Sequence, residues 1–396
     1  MLNPKNFNNI VVILNRLPVS AFLYQLSIYE LILAGVLFLG LVIQLYYYLG
    51  VFLKIVKFRG NPSNNIQPPV SIVICARDEE ENLSSFLPLV LEQNYPSFEV
   101  VVVNDCSSDD TDMVLERLMR TYKHLRVTTI KQDEKFTHTK KLALTIGIKA
   151  AKHDWLLLTD ADCRPDSPNW LSSMAVAFTQ DNEIVLGYGG FIPEKGFTNK
   201  VIRFDALFTA MLYLGAALVR KPYMGVGRNL AYRRDLFFRN KGFASHSQLA
   251  SGDDDLFVNE VATKSNATVV IATGAHTRTP AKKTLEGWFK QKRRHLTTGG
   301  RYKSGSKWYL GTELFSRFTF YGSAIALIAL QFYPLIIAGV ILLRLIIKLS
   351  VIKAVMVRLK ERKILLISLI YDFFSPIIFG TIALTNKFST QKTKWR

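Results

Sequence analysis

The chain has 396 residues, 49% of them hydrophobic, with a mean hydropathy of +0.16, which is too apolar for a purely soluble protein. Of its formal net charge of +19, residues 281–396 carry most, with 21 Lys/Arg against 4 Asp/Glu. These cations flank apolar runs, which points to a membrane surface; no zinc-finger spacing or basic heptad argues for nucleic acid.

Cys75, Cys106 and Cys163 make no disulfide framework and no CxxC pair, which fits a reducing compartment. The N-terminus lacks a basic segment leading into an apolar core and cleavage site, so the first long apolar run reads as an anchor. That run, 28–53, carries one charge, Glu30, and is long enough to cross a bilayer. Tyr46, Tyr47 and Tyr48 read as interfacial aromatics, and Lys54, Lys57 and Arg59 mark that end as cytoplasmic. Residues 60–69 are a Gly/Pro/Asn linker, and residues 1–59 form an N-terminal region before it.

From residue 70 to 312 strands and helices alternate. VSIVICA (70–76), FEVVVVND (98–105) and WLLLTDAD (155–162) have the β-branched, apolar character of buried strands, with helices between them and at 139–152. This rhythm predicts a parallel sheet covered on both faces, with ligands at the carboxyl ends of its strands. Residues 206–219 are apolar but short, and are expected as a buried or interface-lying helix. The region 313–396 is membrane-like again, with expected segments at about 315–331 and 334–350, hinged at Gln331–Pro334, and at 364–385. The hairpin returns six basic residues, Lys348 to Lys363, to the cytoplasm. A third span would put Lys387, Lys392, Lys394 and Arg396 outside, which the same rule disfavours; Pro376 can instead bend the segment into a re-entrant or interfacial element.

Acidic motifs sit at the strand ends. Asp160-Ala161-Asp162 offers two hard oxygen ligands for Mg2+ or Mn2+, although a bare D-x-D is equally a surface acidic turn. Asp105 ends its strand where a nucleobase or ribose would bind, while Asp109 and Asp110 read as helix caps. Lys140 and Lys141 open a helix and are either phosphate contacts or solvated residues. Asp253, Asp254 and Asp255 are three carboxylates in a row at the start of a helix expected over 255–264, one or two more than an N-terminus needs. A general base is the reading that uses the surplus. Gln291, Lys292, Arg293, Arg294 and His295 can hold a diphosphate or lie as a juxtamembrane basic helix.

The order of these motifs resembles the family 2 glycosyltransferases, the inverting GT-A group that includes cellulose and hyaluronan synthases and bacterial lipid and exopolysaccharide transferases. PPVSIVICARDEEENL is similar to the family's opening strand and helix, with Ala76 at the donor site, and QNYPSFEVVVVNDCSSDDT to its second strand with Asp105. KKLALTIGI matches the lysine segment through Lys140, TDAD the metal motif, and GVGRNLAYRR the segment where Arg228 and Asn229 border sugar or acceptor. The family's E-D pair falls on Gly252 and Asp253, leaving Asp254 as a rival base, and its Q-x-x-R-W appears as Gln291, Arg294 and His295 without the tryptophan.

The resemblance implies a mixed α/β GT-A domain between N- and C-terminal transmembrane helices, in a bacterial plasma membrane with the catalytic domain cytoplasmic. It implies an inverting hexosyl or N-acetylhexosaminyl transfer from a UDP- or GDP-sugar to a lipid-linked or glycan acceptor. In this reading Asp162, with Asp160, holds Mg2+ or Mn2+, and Asp160 also reaches the donor. Asp253 is the base, and Gln291 and Arg294 hold the diphosphate. The small set of spans and the missing tryptophan favour short products over a processive polysaccharide synthase. A non-catalytic glycan-binding scaffold is the rival from outside the enzymes, and the acids at all three strand ends argue against it.

Overall fold

The computed structural model describes residues 27–60, 67–131, 139–249 and 251–388. Most of the predicted linker, and Lys392, Lys394 and Arg396, lie outside them. The first apolar run forms α1, Ile28–Lys57, opened by a capping box in which Ser27 N donates to Glu30 Oε2 at 2.8 Å and Glu30 N to Ser27 Oγ at 3.3 Å. Residues Tyr46–Phe52 are wound as a π-helix. Here the sequence expectation needs correcting. Tyr46 is exposed, but Tyr47 and Tyr48 are buried at 2% and 1%, packed on protein and not at a lipid interface.

The sheet begins with β1 (Val70–Ala76), α2 (Glu80–Leu91), β2 (Phe98–Asp105), α3 (Thr111–Thr121), β3 (Leu125–Ile130), α4 (Lys140–Ala150) and β4 (Trp155–Leu158). The chain steps outward from β1 through β2 to β3, and α4 then carries it back to the other side of β1. That reversal opens a crevice at the carboxyl ends of β1 and β4. β4 ends at Leu158, four residues before the predicted strand end, so Asp160 and Asp162 lie in the turn beyond it.

The second half contributes β5 (Arg164–Pro165), α5 (Trp170–Ala175), β6 (Ile184–Gly187), β7 (Gly189–Phe191), α6 (Phe197–Leu218), β8 (Leu230–Arg233) and α7 (Arg234–Arg239). It closes with α8 (Asp255–Val261), β9 (Ala267–Val270), β10 (Thr277–Thr279) and α9 (Leu285–His295). The main sheet runs β3-β2-β1-β4-β8-β6-β9, and a small sheet runs β5-β10-β7. The sheet is parallel except for β8, which is antiparallel to β4 and β6 and makes it the mixed sheet of the fold expected. The chain reaches β8 from the carboxyl end of β4, where Thr159 Oγ1 donates to Arg228 O at 3.1 Å, and can only run down the sheet from there.

α6 is longer than the run read at 206–219, and by length and composition it could cross a membrane. It does not face lipid: 78% of its apolar window is buried inside the protein, and α1 packs across it through Phe52 and Phe208. α10 (Ser304–Ala329), α11 (Pro334–Arg358) and α12 (Ile367–Phe388) follow. Among the described residues α1, α6 and α11 are long and apolar enough to span a bilayer; in α10, Glu313 and Arg317 lower the hydropathy. The hairpin turns at Tyr333, whose φ of 38° is left-handed, immediately before Pro334.

Buried polar groups join these helices. Arg344 donates to Gln44 Oε1 of α1 at 2.7 Å and to Asp372 of α12 at 2.8 Å, and Lys348 meets Asp372 at 2.9 Å. All four side chains are 4% exposed or less. In so dry a setting an ion persists only with a partner, so this network sets the register of three helices.

Candidate active site

The crevice at β1 and β4 gathers the site. Gly147 lets α4 press onto β1, because a Cβ there would stand 2.6 Å from Val73 Cγ1. That close approach brings the first residue of α4 over the strand ends. Lys140 Nζ lies 2.7 Å from Asp160 Oδ1 and 3.1 Å from Asp253 Oδ2, so one ammonium joins the acid after β4 to the acid before α8. Burial works against this charge, but Asp160, Asp253 and Asp254 outweigh it and hold Lys140 well above the ordinary lysine range. Its neighbour Lys141 is spent elsewhere: its Nζ donates to His246 O at 2.6 Å and Leu249 O at 3.0 Å. The two lysines thus separate, with Lys140 facing the crevice acids and Lys141, on the same helix, binding the carbonyls of a loop.

The three consecutive aspartates diverge. Asp255, whose acid is raised chiefly by burial, accepts from Tyr302 OH at 2.6 Å and from Thr298 Oγ1. Asp254 caps α8: its Oδ1 accepts from Asp255 N at 2.7 Å and its Oδ2 from Gly227 N at 2.8 Å. Burial, then Asp253 and Asp255, push it up to about 7. Asp253 faces Lys140; burial raises its acid, but the lysine outweighs that and leaves it below the ordinary value. α8 itself stops at Val261, three residues short of the expected end.

Gly252, where the family pattern has glutamate, has φ of 102°, and a Cβ there would lie 2.6 Å from Leu256 Cδ1. A side chain at 252 would be strained in this backbone.

Asp160, Asp162 and Cys163 present ligand atoms within 4.8 Å of one another. Burial and the charge of Asp160 raise the acid of Asp162, while Thr279 and the nearby Arg228 draw it down. A divalent cation would relieve this crowding, and two carboxylates are the hard donors Mg2+ and Mn2+ take, so the residues fit the metal. Glu79, which the sequence reading passed over inside ARDEEENL, belongs to the same field: burial, with Asp162 and Asp160, raises it to about 7. Spacing gave no sign of it, because only the fold brings the end of β1 beside the turn after β4.

Ala76 and Asp105 are buried at the carboxyl ends of the neighbouring strands β1 and β2. The guanidinium of Arg228 lies 4.5 Å from the Phe191 ring centroid. Asn229 Nδ2 donates to Tyr188 O at 3.0 Å and Ala275 O at 2.7 Å, and its Oδ1 accepts from Trp170 Nε1 at 3.1 Å. The side chain is fully buried, and these bonds tie the Arg228 loop to the fold.

Gln291 and Arg294 are half-buried on α9, and the carbonyl of Arg294 accepts from Ser251 Oγ at 3.5 Å, which brings α9 to the loop carrying Asp253. Arg294 Nε is buried without a hydrogen-bond partner. Lys292 instead pairs with Asp205 of α6 at 2.7 Å, and Trp288 Nε1 donates to the same carboxylate at 3.3 Å. His295 is exposed at the end of α9.

The sheet order, with the acid-bearing turn after β4, is that of a GT-A fold. Residues 71–238 match the family model "Glycosyl transferase family 2". The fold is similar to that of the mannosyltransferase PcManGT from Pyrobaculum calidifontis, solved with GDP-Man and Mn2+: the TM-score is 0.61 at 17% identity, covering 91% of this chain and 99% of that one. In sequence, the chain is 25% identical over 125 residues to an uncharacterized glycosyltransferase of Haemophilus influenzae, covering 32% of this chain and 37% of that protein. It is 29% identical over 93 residues to the poly-beta-1,6-N-acetyl-D-glucosamine synthase of Staphylococcus epidermidis, covering 24% of this chain and 21% of the synthase. The chain thus aligns with well under half the length of either relative.

Proposed function

We propose that the protein transfers a hexosyl or N-acetylhexosaminyl group, with inversion, from a UDP- or GDP-sugar to a lipid-linked or glycan acceptor at the cytoplasmic membrane face. The observation that carries this reading is the Lys140 ammonium, within 2.7 Å of Asp160 and 3.1 Å of Asp253, which couples the donor acids to the base. Asp105 and Ala76 border the nucleotide, and Arg294, with its unpartnered Nε, meets the diphosphate beside Gln291. Asp160 and Asp162 would hold Mg2+ or Mn2+, which neutralises charge on the diphosphate.

Asp253 accepts the acceptor hydroxyl's proton, that oxygen bonds the anomeric carbon, and the bond to the β-phosphate oxygen breaks with its electron pair leaving on the nucleoside diphosphate. Geometry favours Asp253 over Asp254, because both oxygens of Asp254 already accept backbone N–H groups. When Lys140 turns toward an incoming diphosphate, Asp253 loses the charge that holds its pKa down and becomes the stronger base. Nucleotide-sugar panels with labelled donor, Mn2+ and membrane lipids test the activity; metal-independent transfer, or none with any donor, would reject it. A ladder of long products would favour a processive synthase, the reading to which the similarity with the poly-N-acetylglucosamine synthase lends support.

The orientation is proposed from the basic ends of α1 and α11 and from the packing of α12. Tyr371 OH donates to Asp205 Oδ1 of α6 at 2.7 Å, and Lys292 of α9 stands 5.6 Å from the Phe379 ring. Two turns of α12 therefore rest on the catalytic domain. Ile370, Phe373, Phe374 and Ile377, at i, i+3, i+4 and i+7, stay exposed, the pattern of a helix lying in the bilayer surface. In this reading α12 does not cross the bilayer, in agreement with the positive-inside rule.

A further inference from the structure

We propose that Glu361, in the turn between α11 and α12, is a positioning residue for the metal motif, holding it from the membrane side through β10. The inference rests on the reading of Asp160 and Asp162 as the metal site. Glu361 is a carboxylate with no exposed side-chain surface. It accepts from Arg203 of α6 through Nε at 3.0 Å and Nη2 at 2.5 Å, from Tyr188 OH at 2.9 Å, and from Arg278 Nη1. Arg203 Nη2 also donates to Arg362 O at 3.1 Å and Arg278 Nη2 to Leu359 O at 3.2 Å, so the turn is gripped by side chain and backbone together.

Arg278 is the middle residue of β10, itself the middle strand of the small sheet. Several contacts on the far side of the acid turn run through that strand. β5 begins at Arg164, two residues after Asp162, and pairs with β10; Arg278 Nε donates to Asp166 Oδ2 at 3.0 Å, and Asp166 N donates to His276 O at 2.9 Å. Thr277 Oγ1 donates to Arg228 O at 2.9 Å, and Thr279 stands beside Asp162. Two arginines around one dry carboxylate tolerate little displacement, because if the glutamate withdrew Arg203 would lose its carboxylate and Arg278 would keep only Asp166. Moving the turn between α11 and α12 therefore moves Arg278, β5 and the spacing of Asp160 and Asp162. A membrane element fixes the geometry of a metal site far from it in sequence.

The test titrates Mn2+ by electron paramagnetic resonance into purified full-length protein, with UDP or GDP present, for wild type and for Glu361→Gln, Glu361→Asp, Tyr188→Phe and Asp162→Ala. Glu361→Gln is expected to weaken Mn2+ binding about 10-fold, the usual cost of losing a group that orients metal ligands. KM for the donor should rise with it, while kcat at saturating Mn2+ falls less than about threefold. Glu361→Asp keeps the charge and should recover most of the affinity. A folded Glu361→Gln protein that binds Mn2+ like wild type overturns the proposal. If that variant does not fold, Tyr188→Phe decides: it removes one hydrogen bond and should weaken Mn2+ about twofold, and unchanged binding again overturns the proposal. Asp162→Ala should abolish binding; if it does not, the metal-site reading itself fails, whatever Glu361 does.

Discussion

Lys140 and Asp253 form a 3.1 Å ion pair between the first residue of α4 and the residue before the α8 cap, and the same ammonium reaches Asp160 at 2.7 Å. One lysine therefore balances both the acid proposed to hold the metal and the acid proposed as the base.

Asp253→Asn removes the proposed base and keeps its shape. Steady-state kinetics should show kcat reduced about 10³-fold with the donor KM little changed. Asp254→Asn keeps one acceptor oxygen for two backbone donors and should cost about 1 kcal/mol of stability with a smaller loss of kcat. The reverse ranking would move the base to Asp254.

The pH dependence follows from groups raised by burial and like charge. Asp254 titrates at about 7 in the folded protein against an ordinary 3.8, and Glu79 at about 7 against 4.5. The folded state thus binds the extra protons, so their stabilisation is complete below the ordinary values and is lost as pH rises through 7. Thermal unfolding in chelator should show Tm falling from pH 5 to pH 8. Asp254→Asn should flatten that slope, and a slope that stays as steep would reject the assignment.

Gly252→Glu restores the residue found in the family pattern, yet it should destabilise the protein by about 1–3 kcal/mol, because the backbone at 252 is left-handed and Leu256 fills the space. Denaturant melts of the two proteins measure this directly.

Topology is testable in intact spheroplasts. A cysteine replacing Gln331 in the α10–α11 turn should be labelled from outside by a membrane-impermeant maleimide, while a C-terminal tag should resist external protease. Tag cleavage would mean that α12 crosses the bilayer. Tyr371→Phe, losing its 2.7 Å bond to Asp205, should cost about 1 kcal/mol and loosen α12 without reversing it.

Much of the scaffold could be read directly. β-branched runs placed β1 and β2 to the residue, and uninterrupted hydropathy located the cores of α1 and α11. Local patterning encodes such elements because burial on both faces, or in lipid, demands the same apolar residues wherever the strand or span goes. Where elements met the fold, reading failed: Tyr47 and Tyr48 looked like interface anchors and are core, and the β4 strand ended before its acids.

The order of the strand-end acids was legible in the sequence, and it is the basis of the proposed donor site, since a residue's place after a parallel strand points it toward the crevice. Only the tertiary structure decided how similar neighbours divide their work. Lys140 and Lys141, like Asp253, Asp254 and Asp255, are the same chemistry one residue apart, and rotation about a helix start sends each to a different partner. The roles of Asn229, Glu79 and Glu361 were equally unreadable, because a buried polar group is defined by the atoms that satisfy it, and those come from distant parts of the chain.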